Sequence, residues 1–204
     1  MSQADKYLFA TNNQGKMKEI KSIFKQAGLE IISLADLGLE FEPPETGTTF
    51  EENAIQKAQK TAEFLLKNNI EPMIILSDDS GLCIDALGGL PGVDSANYMG
   101  HETPYEVRNS RIVDMLSDVP RTMRLARFVC VIACLWPNER IKTTHATIEG
   151  LITNEPNGEN GFGYDPIFFV PDFGKTMAEL TQEQKNGISH RGKALGKMLE
   201  LLQS

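Results

Sequence analysis

The residues best suited to chemistry are two adjacent aspartates, Asp78 and Asp79, in the run Ser77-Asp78-Asp79-Ser80-Gly81. They follow Met73 to Leu76, a short apolar stretch that reads as a buried strand. In open α/β sheets, ligands bind beyond the carboxyl ends of strands, so the run reads as an acidic turn at such an end. Two neighbouring carboxylates repel one another unless a cation neutralises them. A hard divalent ion with oxygen ligands does this, and magnesium also suits a phosphate substrate. One carboxylate can then orient or deprotonate water while the metal polarises a phosphoryl oxygen. The competing reading has one aspartate capping a turn and the other in solvent.

Four further groups carry candidate chemistry. Thr11-Asn12-Asn13-Gln14-Gly15-Lys16 is a polar turn between a predicted strand and a predicted helix, where backbone N–H groups can meet an anion. It is not a Walker A loop, because Ala10 stands at the first glycine and Met17 at the Ser/Thr. Alone it equally describes a helix start with a solvated lysine. Glu45 lies in an acidic loop, and Asn53 and Lys57, four apart on the next helix, share one face. In Gly161-Phe162-Gly163-Tyr164-Asp165-Pro166 the glycines let a flat ring approach the backbone, so Phe162 could stack on a base and Asp165 accept from it. The alternative is a bend whose aromatics belong to the core. Lys185, His190 and Arg191 crowd donors near the start of the last helix, which Ser189 can cap and whose dipole favours an anion.

The elements that must position these groups can be read from periodicity. Residues 6–11 form a strand, apolar residues at Met17, Ile20, Ile23 and Phe24 a helix stopped by Gly28, and residues 29–34 a second strand. This strand–helix–strand opening favours parallel pairing in an α/β fold. Thr48-x-x-Glu51 and Thr103-Pro104-Tyr105-Glu106 read as capping boxes that start helices reaching about Asn68 and Leu116. Residues 125–136 and 141–152 form a hairpin, and 166–170 another strand. Two helices are predicted to finish the chain, near Met177 to Lys185 and from Ser189 to Leu202. The whole reads as a single domain over 1–204 with a mixed sheet.

Bulk properties narrow the function. With 204 residues, 41% hydrophobic and 24% charged, the chain can bury a sizeable core. A formal charge of −8 repels polyanions, so nucleic acid and anionic membrane are not expected partners. Cys83, Cys130 and Cys134 lack the CxxC spacing of a metal or redox site, and the last two read as buried hydrophobes. The start Met-Ser-Gln-Ala-Asp-Lys has no signal-peptide pattern and no run is long enough to span a bilayer, so a cytoplasmic location is expected.

Taken in order, the blocks FATNNQGKMKEI, ETGTTFEENAIQKA, SDDSGLCIDALGGLPGVDSANYMG, GENGFGYDPIFFVP and ELTQEQKNGISHRGKAL give a specific pattern over nearly the whole chain. The sequence resembles the inosine triphosphate pyrophosphatase family, in its bacterial style. The resemblance implies an elongated mixed α/β sheet flanked by helices, with two lobes and a central substrate cleft, in a homodimer. It implies hydrolysis of ITP, dITP and XTP to the monophosphate and pyrophosphate. Thr11, Asn12, Asn13, Gln14, Gly15 and Lys16 would line the phosphate site, with Lys57 as a further cation. Glu45 and Asp79, with Asp78 beside them, would hold Mg2+. Asp79 would also take the proton of the attacking water, and Ser80 would touch the substrate. Phe162, Gly163, Tyr164 and Asp165 would hold the nucleoside. Lys185, His190 and Arg191 would complete the base pocket at the 6-keto group. Many relatives carry glycine at Asn12; asparagine tolerates left-handed backbone, so the loop is expected to keep its shape. Two rivals are a related pyrophosphatase for a modified pyrimidine or methylated guanine nucleotide, and a non-catalytic nucleotide sensor.

Overall fold

The computed structural model describes residues 6–203. In chain order the elements are β1 (Tyr7–Phe9), α1 (Gln14–Gln26), β2 (Ile31–Ser33), α2 (Phe50–Lys67), β3 (Ile74–Ile84), α3 (Tyr105–Met115), β4 (Leu125–Leu135), β5 (Ile141–Ile152), β6 (Phe168–Val170), β7 (Lys175–Thr176), α4 (Gln182–Ile188) and α5 (His190–Gln203), joined by short 3-10 turns. The strands make one mixed sheet, in the order β2-β1-β3-β4-β5-β6-β7. β1 pairs in parallel with both β2 and β3, and β6 pairs antiparallel with both β5 and β7. The α/β fold with an early parallel part and a later hairpin extension is the one the periodicity predicts.

The described residues fall into two compact units. The first takes the chain through Asp79, then Cys130–Ala146 and the stretch from Arg191; the second takes Ser80–Val129 and Thr147–His190. In the first unit, strand alternation sorts side chains onto two faces. Tyr7, Phe9, Ile74 and Leu76 pack with Ile20 and Phe24 of α1 and with Leu195 and Met198 of α5. Leu8 and Ile75 turn the other way, onto Ala58 and Leu65 of α2. The second unit has its own core of Leu82, Ile84, Phe128, Ile148, Tyr164 and Phe168. Cys130 and Cys134 are fully buried, and burial pushes both thiols up to about 12, which leaves them inert hydrophobes as expected. Among the described residues no helix is long and apolar enough to cross a membrane.

Several local expectations are corrected. The aspartate run is not a turn: β3 continues through Ser77, Asp78, Asp79, Ser80 and Gly81 to Ile84. The first capping box sits one residue later, because Glu52 rather than Glu51 reaches back to the Thr48 and Thr49 amides, with Thr49 as the cap of α2. No box starts α3. The Thr103 hydroxyl donates backward to the Met99 carbonyl at 2.7 Å, and Pro104 precedes the helix without a side-chain cap. The segment from Met177 to Lys185 is not one helix; a 3-10 turn at Met177–Glu179 ends and α4 restarts at the Thr181–Gln184 box. Asn12 needs no left-handed backbone: the positive-φ non-glycine residues described are Asn69, Met99 and Glu139.

Candidate active site

The alternation of β3 decides what the two aspartates can do. Positions 74 and 76 face α1 and α5, whereas 75 faces α2. Extending that pattern puts Asp78 on the first face and Asp79 on the second. Ser77, one step before Asp78, accordingly donates its hydroxyl to the Ala54 carbonyl of α2 at 2.5 Å. The adjacent carboxylates therefore point to opposite faces of the strand.

Asp78 is 1% exposed and lies between two cations. Lys16 Nζ sits 3.1 Å from Oδ1 and 3.0 Å from Oδ2. Arg191 Nε and Nη2 both approach Oδ2 at 3.4 Å, while Nη1 donates to Glu19 Oε2 at 2.5 Å. Burial alone would raise the Asp78 pKa. Lys16, Arg191 and Lys57 outweigh it and hold the carboxyl well below the ordinary range. Burial likewise works against the Arg191 charge, and Asp78 and Glu19 hold it protonated.

Asp79 meets α2 instead. Its Oδ2 accepts from Asn53 Nδ2 at 2.9 Å, and its Oδ1 lies 3.7 Å from Lys57 Nζ. The same ammonium is 2.6 Å from Glu45 Oε1 and donates to the Asp78 carbonyl at 2.8 Å. The shared helix face of Asn53 and Lys57 is thus used as predicted. Burial pushes the Asp79 carboxyl above its ordinary value, and Lys57 and Asn53 pull it back only in part. Burial opposes the Lys57 charge too, yet Asp79, Asp78 and Glu45 together raise its pKa.

The loop before α1 is shaped by its own side chains. Asn13 caps the helix, its Oδ1 accepting from Lys16 N at 2.9 Å, and the Thr11 hydroxyl accepts from Asn13 N at 3.2 Å. Asn12 Nδ2 donates to the Phe41 carbonyl at 3.1 Å. Thr11, Asn12 and Gln14 line a cavity of about 720 Å³ that also takes in Phe41 and Asp36. Lys16 instead turns to Asp78.

In the second unit the loop around Phe162 is organised by Asp165. Its Oδ2 accepts from Phe162 N at 2.9 Å and from Lys185 Nζ at 2.6 Å. Gly161, at φ +78°, has no room for a side chain: a Cβ there would collide with that oxygen. The Lys185 ammonium sits 4.6 Å above the Phe162 ring, a cation–π contact on one ring face. Gly163 accepts at its carbonyl from Asn109 Nδ2 at 3.0 Å. Tyr164 packs in the core of this unit. It is 4% exposed, its hydroxyl donates to the Ser95 carbonyl at 2.8 Å, and its ring meets Tyr105 edge-on. His190 stacks on Phe128 at 4.8 Å and 12°.

The first unit thus collects Thr11 to Lys16, Glu45, Lys57, Asp78, Asp79 and Arg191, and the second Ser80, Phe162, Gly163, Tyr164, Asp165, Lys185 and His190. Arg191 belongs with Asp78 and Glu19, apart from its sequence neighbour His190. Glu19 was not anticipated. Its signal is a carboxylate three residues after Lys16 and four before Ile23, on the buried face of α1. Phe128, inside an apolar strand, offered none.

A polypeptide with this mixed sheet, whose two buried aspartates on β3 meet cations from α1, α2 and α5, is of the α/β class. Comparison with known proteins makes the class specific. A model of the Ham1 family matches residues 7–201. The chain is 47% identical over 197 residues to the dITP/XTP pyrophosphatase of Bacillus subtilis, covering 97% of this chain and 96% of that protein. It superposes on the Staphylococcus aureus Ham1 protein with a TM-score of 0.82 at 41% identity, and on a HAM1 protein from Coxiella burnetii with a TM-score of 0.83 at 37% identity, each covering 98% of both chains. The chain belongs to the Ham1 family.

Proposed function

We propose that this protein hydrolyses non-standard purine nucleoside triphosphates, dITP, XTP and ITP, to the monophosphate and pyrophosphate. One observation carries the reading: a buried Asp79 fixed by Asn53 and Lys57 and joined through Lys57 to Glu45. The dITP/XTP pyrophosphatase name of the Bacillus subtilis relative supports the substrate class. A sensor would have no use for a buried, proton-accepting carboxylate. The expected homodimer and cytoplasmic location belong to the same reading.

The residues suit Mg2+ at Glu45 and Asp79. Asp78 is already compensated by Lys16 and Arg191, whereas burial leaves the charge on Asp79 under-compensated. Glu45 is 37% exposed, so it can turn an oxygen outward. No group of three or more His, Cys, Asp or Glu converges among the described residues. Two carboxylates with water and phosphate oxygens are a coordination magnesium favours. When bound, the ion would draw charge from the phosphoryl oxygens.

The chain's own groups do the rest. Asp79 orients the attacking water and takes its proton. Lys57 and Lys16, with the loop from Thr11 to Gly15, carry phosphate charge. Phe162 offers the ring face opposite Lys185 to a base, and Lys185 and His190 supply donors for a 6-keto oxygen. Adenine presents an amino group there, and a donor left unpaired can discriminate by about 10⁴. Arg191 acts through Asp78. The test is a panel of ITP, XTP, dTTP, GTP and ATP with magnesium and product identification. ITP and XTP are expected to give the highest kcat/KM with pyrophosphate as product; preference for dTTP, or release of orthophosphate, would refute the reading.

A further inference from the structure

Asn53 lies on α2, 2% exposed, and uses both ends of its amide. Its Oδ1 accepts from Gly47 N at 2.7 Å, and its Nδ2 donates to Asp79 Oδ2 at 2.9 Å. The assignment of the two ends follows from chemistry. A backbone N–H can only donate, so the carbonyl oxygen must face Gly47 and the NH2 must face the carboxylate. Gly47 lies two residues after Glu45, and it is built to let this happen. A Cβ there would come within 2.7 Å of Asn53 Oδ1, 2.7 Å of Glu52 Cβ and 3.0 Å of Asn53 N. The backbone of the Glu45 loop and the carboxylate of Asp79 are thus held to one side chain.

We infer that Asn53 is a positioning residue for the hydrolysis, a buried amide that sets the orientation of Asp79 and fixes the loop of Glu45 in register with it. The inference rests on the reading of Asp79 as proton acceptor and Glu45 as its partner. Asp79 Oδ2 accepts from Asn53, and Oδ1 lies on the Lys57 side, 3.7 Å from its ammonium. Without the amide, a carboxylate on a strand can rotate about its terminal torsion, which is broad and has no strong staggered preference. Both ends of the Asn53 amide are already committed, to Gly47 and to Asp79. Its effect therefore falls on the transition state, where orientation counts, and not on nucleotide binding.

The test uses the full-length protein with magnesium and ITP, and three variants: Asn53→Ala, Gly47→Ala and the double. Asn53→Ala is expected to lower kcat by about 10- to 100-fold while KM stays within about threefold. Gly47→Ala attacks the same contact from the other side and is expected to lower kcat in the same direction. The double variant should lose little more than Asn53→Ala alone, because the two residues act as one unit. Thermal melting of each variant separates loss of folded protein from loss of turnover per folded molecule. A folded Asn53→Ala protein with parental kcat, or equal changes in kcat and KM, overturns the inference. If Asn53→Ala does not fold, Gly47→Ala decides: parental kcat there also overturns it. Asp79→Asn in parallel keeps the two ideas apart. Should Asp79→Asn turn over normally, the reading of Asp79 itself fails. Should it be inactive while the Asn53 and Gly47 variants are active, the positioning role alone fails.

Discussion

The two faces of β3 treat adjacent, chemically identical side chains in opposite ways. Asp78 meets Lys16 and Arg191 on the α1 and α5 side, and its pKa falls. Asp79 meets a neutral amide and a shared ammonium on the α2 side, and its pKa rises. Both are almost completely buried, so desolvation does not separate them. The number and closeness of the cations does. A carboxylate pinned low between two cations is a poor proton acceptor and a good scaffold. A carboxylate held up by burial is ready to take a proton or a metal ion. The pleat of the strand, by turning successive side chains to opposite faces, makes that division of labour available to neighbours in sequence.

The first way to break this contrast is to neutralise each aspartate in turn and measure turnover. Asp79→Asn is expected to keep the fold and lose on the order of 10²- to 10⁴-fold in kcat, the range that general-base catalysis supplies. Near-parental hydrolysis would remove Asp79 from the chemistry and collapse the distinction. Asp78→Asn should act first on stability. It leaves Arg191 and Lys16 facing a neutral group, and breaking a buried ion pair from one side costs about 3–5 kcal/mol. Chemical denaturation reads this directly, and an unchanged unfolding free energy would show that Glu19 alone suffices for Arg191.

How far this was legible in the sequence depends on what each feature needs. The parallel opening, the hairpin and both buried cysteines follow from short-range periodicity, which the chain displays openly. The shared face of Asn53 and Lys57 follows from helical spacing. The run at Asp78 reads as a turn because five polar or small residues ordinarily end a strand. Here Lys16, Lys57, Asn53 and Arg191, scattered over the chain, solvate it and let the strand continue. That compensation is tertiary and leaves no local mark. The capping boxes slipped for a subtler reason. Thr48 and Thr49 precede Glu51 and Glu52, so two registers satisfy the same pattern, and geometry picks the later one. His190 stacks on Phe128, and its neighbour Arg191 pairs with Glu19. Successive helical residues do not face each other.

A smaller effect extends the contrast to the second unit. Phe162 is half-buried, with Lys185 over one ring face. Phe162→Ala should remove base stacking worth about 1–3 kcal/mol, seen as a rise of roughly tenfold in KM with kcat little changed. It should act alike on ITP and XTP, since stacking does not read ring substituents. A fall in kcat at constant KM would place Phe162 with the catalytic carboxylates instead.

The finest test is the pH dependence of stability without metal, in chelator, where the two aspartates should differ in sign. The folded pKa of Asp78 is depressed, so it contributes stability that is present above the ordinary value of 3.8 and is lost as pH falls through the lower folded value. The folded pKa of Asp79 is raised, so the cost of its charge is absent below 3.8 and appears as pH rises through the higher folded value. At neutral pH, Asp78→Asn should therefore lower the melting temperature. Asp79→Asn should leave it unchanged or raise it by a few degrees, as a gain of about 1 kcal/mol does in a chain of this size. Both differences should shrink as pH falls towards 3, where Asp79 is neutral in either state and Asp78 begins to lose its advantage. Parallel melting curves for the two variants across pH would mean that the two faces of β3 do not distinguish their aspartates in the metal-free protein. Opposite slopes would locate the distinction in the charges of Lys16 and Arg191, already present before any nucleotide or metal arrives.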